Sequence, residues 1–151
     1  MTAREFAIEA HGDQKYGDKP YVFHLDQVHA LADEYGLSED HKTAAYLHDV
    51  AEDCGVSYYE IWGLFGHYVQ YLVWGVTGKG VNRKARIKDQ AWKMNDKDIA
   101  RLKLCDRIAN IEHAIKSGNT QIMNMYAKEH EEFSKFYFKD ALWDRYLSLF
   151  K

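Results

Sequence analysis

The stretch His48-Asp49-Val50-Ala51-Glu52-Asp53 holds four side chains that bind metal or move protons. Imidazole beside carboxylate suits a divalent transition metal better than calcium, which takes oxygen ligands. Neighbours on a helix diverge by about 100°. They still reach one ion when it lies off the helix end or between two helices. Residues four apart share a helix face, so Glu52 lies over His48 and Asp53 over Asp49. The plain alternative is a solvated helix end. Acids at a helix C-terminus oppose its dipole, so that alternative needs something positive nearby.

A third acid bears on the choice. Ile99, Leu102, Asp106, Ala109 or Asn110, and His113 recur at spacings of three and four in one long helical segment, the pattern of a core-facing stripe. A carboxylate on that stripe is costly unless it is paired or hydrogen-bonded. A bound cation answers the cost; an ion pair with an arginine is the alternative.

The elements that must position these groups are helical almost throughout. Thr2 reads as the N-cap of a first helix to about Asp13. QKYGDKP is a loop, and a second helix runs from about Leu25 to Tyr35, before Gly36. Ser38 starts a third helix, read as continuous to about Asp53. Ser57 and Glu60 have capping-box spacing for a short helix ending near Gly66. His67 to Val76 is another helix, stopped by the TGKG turn. The stretch after Val81 reads as helical from about Lys84. Asp96 caps the long helix to about Ser117, before Gly118. Two helices fill about Gln121 to Lys151, and no segment alternates at period two for long enough to form a strand. The expected fold is all-α, a single domain over residues 1–151 with about seven to nine helices.

Composition narrows the function classes. The chain has 151 residues, of which 46% are hydrophobic and 15% aromatic, enough for one real core and against disorder. Its net charge of −3 gives no global pull toward nucleic acid or an anionic membrane. Cys54 and Cys105 make no disulfide framework. No apolar run approaches the 18 or so residues of a membrane span, and the N-terminus is not a signal peptide. The expected location is cytoplasmic.

Four blocks occur in order: AHGDQKYGDKPYVFH, AAYLHDVAED, FGHYVQYLVWGVT and ARLKLCDRIANI. Together they resemble the RelA/SpoT-type HD hydrolase domain, which degrades the alarmone (p)ppGpp, over roughly residues 3 to 115. The resemblance implies a helical HD domain with a metal site of His24, His48, Asp49 and Asp106, the family's usual ion being Mn²⁺. It implies that Glu52 and Asp53 orient or deprotonate the attacking water. It also places Lys103 and Asn110 near the nucleotide. By itself His24 reads as an ordinary surface histidine, and the other histidines keep that ordinary reading. Arg107 is either a phosphate contact or a structural ion pair. The basic run Lys79, Arg83, Lys84, Arg86, Lys88 borders the nucleotide pocket by resemblance, or is a solvated surface. It lacks interleaved aromatics and makes a poor nucleic-acid platform.

The loop QKYGDKPY is one residue shorter than the family pattern, and Lys15 or Tyr16 stands where a base-contacting arginine falls. Lysine has no planar face to stack on a purine, whereas Tyr16 has one. The leading expectation is a small stand-alone alarmone hydrolase. The changed loop favours a different nucleotide phosphohydrolase on the same scaffold: an NADPH 2′-phosphatase, a dNTP hydrolase or another modified-nucleotide phosphatase. A nucleotide-binding domain without turnover is the third reading. The expected partner is a nucleotide, with a second copy of the chain in a homo-oligomer as an alternative. Neither a nucleic-acid polymer nor a membrane is expected.

Overall fold

Short polar side chains start the helices. Thr2, Ser38, Ser57, Asn82, Asp96, Asn119 and Asp140 each accept a backbone N–H from the first turn that follows, which satisfies donors with no partner inside the helix. The computed structural model describes residues 1–135 and 139–151. The elements are α1 (Ala3–His11), a hairpin of β1 (Lys15–Tyr16) and β2 (Lys19–Pro20), α2 (Val22–Glu34), α3 (Glu39–Leu47), α4 (Val50–Cys54), α5 (Tyr58–Phe65) and α6 (His67–Val76). Then follow α7 (Arg83–Ala91), a 3₁₀ turn (Trp92–Asn95), α8 (Lys97–Ser117), α9 (Thr120–Ser134) and α10 (Ala141–Ser148). The all-α expectation holds. The two C-terminal helices form as α9 and α10; positions 136–138 between them lie outside the described residues.

The long helix α8 runs through the middle. It is buried on nearly every side, through Ile99, Ala100, Leu102, Leu104, Cys105, Ile108, Ala109, Ile111 and Ala114, rather than along a single stripe. Helices α2, α3, α6, α9 and α10 all pack against it. The α6 contact is close: a Cβ at Gly75 would lie 2.4 Å from the Ile99 side chain. Gly118, at φ +71°, closes α8 in the left-handed conformation that glycine tolerates.

Two expectations are corrected. The segment from Ser38 to Asp53 is not one helix: α3 ends at Leu47, and α4 begins at Val50. The His48 ring donates from Nδ1 to the Ala45 carbonyl at 2.7 Å, the acceptor that a continuous helix would assign to the Asp49 N–H. The loop after α1 also pairs as a hairpin, with Lys15 opposite Pro20 and Tyr16 opposite Lys19, turning at Gly17 with φ +62°. Two residues per strand are too few for an alternating pattern to show. Among the described residues no helix is long and apolar enough to cross a membrane.

Asp96 anchors the start of α8. It accepts from the Asp98 and Ile99 N–H groups at 2.9 and 3.2 Å and from the Tyr71 hydroxyl at 2.5 Å. Burial alone would raise its carboxyl, but these donors hold it below the usual range. Asp96→Ala should cost about 1–2 kcal/mol of stability at neutral pH. A carboxylate whose folded pKa is depressed stabilises above its unfolded pKa and loses that contribution as pH falls through the folded value. The gap between wild type and variant in denaturant melts should therefore narrow on acidification.

Candidate metal centre and active site

Three elements deliver the ligands. α2 brings His24 in its first turn, the α3–α4 break brings His48 and Asp49, and α8 brings Asp106. One donor atom from each lies within 4.8 Å of every other. Asp106 Oδ1 is 2.9 Å from His24 Nε2 and 3.2 Å from His48 Nε2, and His48 Nε2 is 3.0 Å from Asp49 Oδ2. Donors at right angles about an ion at ~2.1 Å sit ~3.0 Å apart, so this spacing fits one divalent ion. His24 and His48 are 1% and 2% exposed and Asp106 is 7% exposed. The His48 Nδ1–H bond to Ala45 turns Nε2 toward the cluster, so Nε2 is the nitrogen that would offer its lone pair to a metal once its proton is displaced.

The charges agree with a cation site. Burial opposes ionisation of Asp106, yet Lys103 and the two histidines hold its carboxyl well below the usual range. Burial also opposes ionisation of Asp49, while His48 pulls its pKa down to about 2. His48 itself, despite burial, is held well above an ordinary imidazole by Asp49 and Asp106. Two ionised carboxylates thus converge where a divalent cation would displace the imidazole proton. Tyr21 donates to Asp49 Oδ2 at 2.5 Å. Asn110 donates to Asp106 Oδ1 at 3.2 Å, and Lys103 Nζ lies 3.3 Å from Asp106 Oδ2. These second contacts orient the ligands.

Glu52 and Asp53, on α4, line the same cavity as Asp49 and Asp106. Their carboxyls are raised, first by burial and then by neighbouring acids, Asp49 above all. A cavity of about 390 Å³ joins Asp49, Glu52, Asp53 and Asp106 to Arg83, Arg86, Lys103, Arg107, Asn110 and the aromatic rings of Tyr21 and Tyr126. Acids and bases line it together: Lys103 lies 3.3 Å from Asp106 and Arg86 3.6 Å from Glu52.

The structure therefore brings His24, His48, Asp49, Asp106, Glu52, Asp53, Lys103 and Asn110 together. Tyr16 is near but engaged: its hydroxyl donates to Asn110 Oδ1 at 2.7 Å, its ring stacks on His24 at 4.7 Å, and His113 sits 5.0 Å away. Lys15 is exposed on the neighbouring strand position. Arg107 is 1% exposed, bonds Glu129 at 3.2 Å and lies 3.8 Å from the Phe133 ring centroid, so it has the structural ion pair while also lining the cavity. The basic run divides. Arg83 and Arg86 face the cavity, held by Glu129 at 2.6 Å and Glu52 at 3.6 Å, while Lys79, Lys84 and Lys88 are exposed.

Residues that sequence reasoning passed over are Tyr21, Tyr126, His11 and Gln14. Tyr21 lies inside the quoted GDKPY turn, where its position beside His24 was a usable signal. Tyr126 stands alone on α9 with no pattern around it. His11, read as ordinary, is buried against the site: its ring lies 4.3 Å from that of Tyr21.

Comparison with known proteins agrees with this geometry. The family model described as "HD domain" matches residues 3–135. The chain belongs to the HD domain family. Family membership implies a divalent metal, and His24, His48, Asp49 and Asp106 are the described group able to hold it. This HD domain is 36% identical over 119 residues to a guanosine-3′,5′-bis(diphosphate) 3′-pyrophosphohydrolase of Aquifex aeolicus, covering 74% of this chain and 17% of that protein. It is 34% identical over 116 residues to the bifunctional (p)ppGpp synthase/hydrolase SpoT of Escherichia coli, covering 70% of this chain and 16% of that protein. The chain thus spans roughly a sixth of the length of these two curated relatives. A solved structure of a metazoan ortholog of SpoT, described as hydrolysing ppGpp, shares the fold with a TM-score of 0.84 at 23% identity, over 98% of this chain and 91% of that one.

Replacing the central carboxylate should dismantle the metal centre. Asp106→Ala should abolish stoichiometric Mn²⁺ binding in titration calorimetry; retained binding would contradict this ligand set.

Proposed function

We propose that this HD domain is a Mn²⁺-dependent hydrolase that removes the 3′-pyrophosphate of (p)ppGpp-like alarmones. One observation carries the reading: two members of a four-residue group able to hold a cation, Asp49 and Asp106, share one cavity with two further carboxylates, Glu52 and Asp53, and with Arg83, Arg86, Lys103 and Arg107. That arrangement suits a substrate with a dense run of phosphates. The names of the curated relatives support the same choice.

When bound, a divalent metal polarises a phosphoryl oxygen and makes a water more acidic. His24, His48, Asp49 and Asp106 would hold it. Glu52 and Asp53 stand next to the cluster without being ligands, so their oxygens are free to align the attacking water and accept its proton. Raised carboxyl affinity for protons makes them better bases than an ordinary surface acid. Lys103, Arg83 and Arg86 balance phosphate charge. Asn110 lines the cavity on the nucleotide's side, with Tyr16 bonded to it at 2.7 Å and Lys15 exposed next to Tyr16. Attack of water on the phosphorus attached to the 3′ oxygen breaks that P–O bond and releases GDP and pyrophosphate from ppGpp.

The altered loop favours a second reading, a different nucleotide phosphohydrolase. Tyr16 is already stacked on His24 and bonded to Asn110, and Lys15 has no planar face, so guanine loses an obvious stacking partner at this position. Among a panel of ppGpp, NADPH, dNTPs and GTP with Mn²⁺, we expect pyrophosphate from ppGpp. Free phosphate from NADPH, or triphosphate from dNTPs, in its place would select the second reading. No release from any of them at micromolar enzyme would leave a binding domain without turnover.

Glu52→Ala should lower kcat by about 100-fold or more while the protein still binds Mn²⁺ in calorimetry. Loss of the metal in that variant would contradict a role as base.

A further inference from the structure

Asp53 does not stand free. Gln14 Nε2 donates to its Oδ2 at 3.1 Å, and Gln14 Oε1 lies 2.8 Å from His11 Nδ1. His11 closes α1, and the Gln14 N–H bonds the His11 carbonyl at 3.0 Å, so a tight turn holds the two side chains together. The order of donors follows from chemistry. An ionised carboxylate only accepts, so Gln14 must present its NH₂ to Asp53. Its carbonyl then faces His11, which must carry its proton on Nδ1. The other ring nitrogen, Nε2, is buried with no partner, a place where a lone pair is tolerated better than an unpaired N–H.

We propose that Gln14 and His11 are positioning residues for Asp53: the chain His11–Gln14–Asp53 ties down Oδ2 and leaves Oδ1 to face the attacking water. The inference rests on the reading of Asp53 as a water-handling carboxylate. His11 also packs on Tyr21, whose hydroxyl bonds Asp49, so one buried ring steadies both Asp53 and a candidate metal ligand. The competing arrangement is visible as well. Cys54 Sγ lies 3.3 Å from His11 Nδ1, and its thiol, pushed up to about 11 by burial, would serve as donor if Nδ1 carried no proton.

Two measurements test the chain. With Mn²⁺ and ppGpp, Gln14→Glu keeps the shape and the acceptor for His11 but removes the donor to Asp53. It should lower kcat about 10- to 100-fold, with KM and Mn²⁺ content unchanged. In an Asp53→Asn background the same change should cost less than about twofold, because the two act through one contact. Equal losses in both backgrounds, no loss in the wild-type background, or loss of metal along with kcat would overturn the proposal. The second measurement needs no substrate. Long-range ¹H–¹⁵N spectra of the Mg²⁺-loaded protein should show His11 protonated at Nδ1, and Gln14→Leu should move that proton to Nε2. An Nε2–H ring in the wild type, or a tautomer unaffected by Gln14→Leu, overturns it. If the wild type releases no pyrophosphate from ppGpp, the substrate reading fails and the tautomer result alone decides the chain.

Discussion

The Asp106 carboxylate lies inside the molecule, on a helix buried on nearly all sides, and most of the site is a response to that placement. An unpaired carboxylate there would cost several kcal/mol, on the order of the protein's whole stability. Two histidines, a lysine and an asparagine converge on its two oxygens. The same convergence brings together donor atoms able to hold a cation. α2 and α3 pack on α8, and their packing carries His24 and His48 to Oδ1 within ordinary hydrogen-bond distance.

The break between α3 and α4 is the second determining feature. In a continuous helix His48 and Asp49 would point about 100° apart. Instead His48 caps α3 by returning its ring to the Ala45 carbonyl, and Asp49 starts a new short helix. His48 Nε2 then meets both Asp49 and Asp106. Glu52 and Asp53 on α4 line the cavity, where Arg86 of α7 and Gln14 of the loop after α1 reach them.

Opposite charges meet within one small cavity. Asp49, Glu52, Asp53 and Asp106 share it with Arg83 and Arg86 of α7 and Lys103 and Arg107 of α8. Arg83 and Arg107 share Glu129 and flank the Tyr126 ring at 5.4 and 4.7 Å. A net charge of −3 conceals this arrangement, because a bulk charge says nothing about which groups face one another.

Much of the architecture was legible in the chain itself. Helical periodicity, hydroxyl and carboxamide caps and terminal glycines are local signals, and they located most helices within a few residues. Asp106 stood out because a carboxylate on an apolar stripe conflicts with burial, and the ordered blocks supplied His24. What the linear pattern concealed has a common physical cause. The break at His48 arises from a ring bonding a carbonyl three residues back, which propensity does not register. The two-residue strands are too short to show a period. Tyr21, Tyr126, His11 and Gln14 join the site through contacts made by packing, between elements distant in sequence. Residue types and spacing determined that this chain folds into helices and pointed to His48, Asp49 and Asp106 as candidate ligands, to which the resemblance added His24 and the acid pair. Only the tertiary structure decided which oxygen meets which nitrogen, that Tyr16 is engaged by His24 and Asn110, and that Arg107 is tied to Glu129, because each depends on distances between helices that only packing around α8 sets.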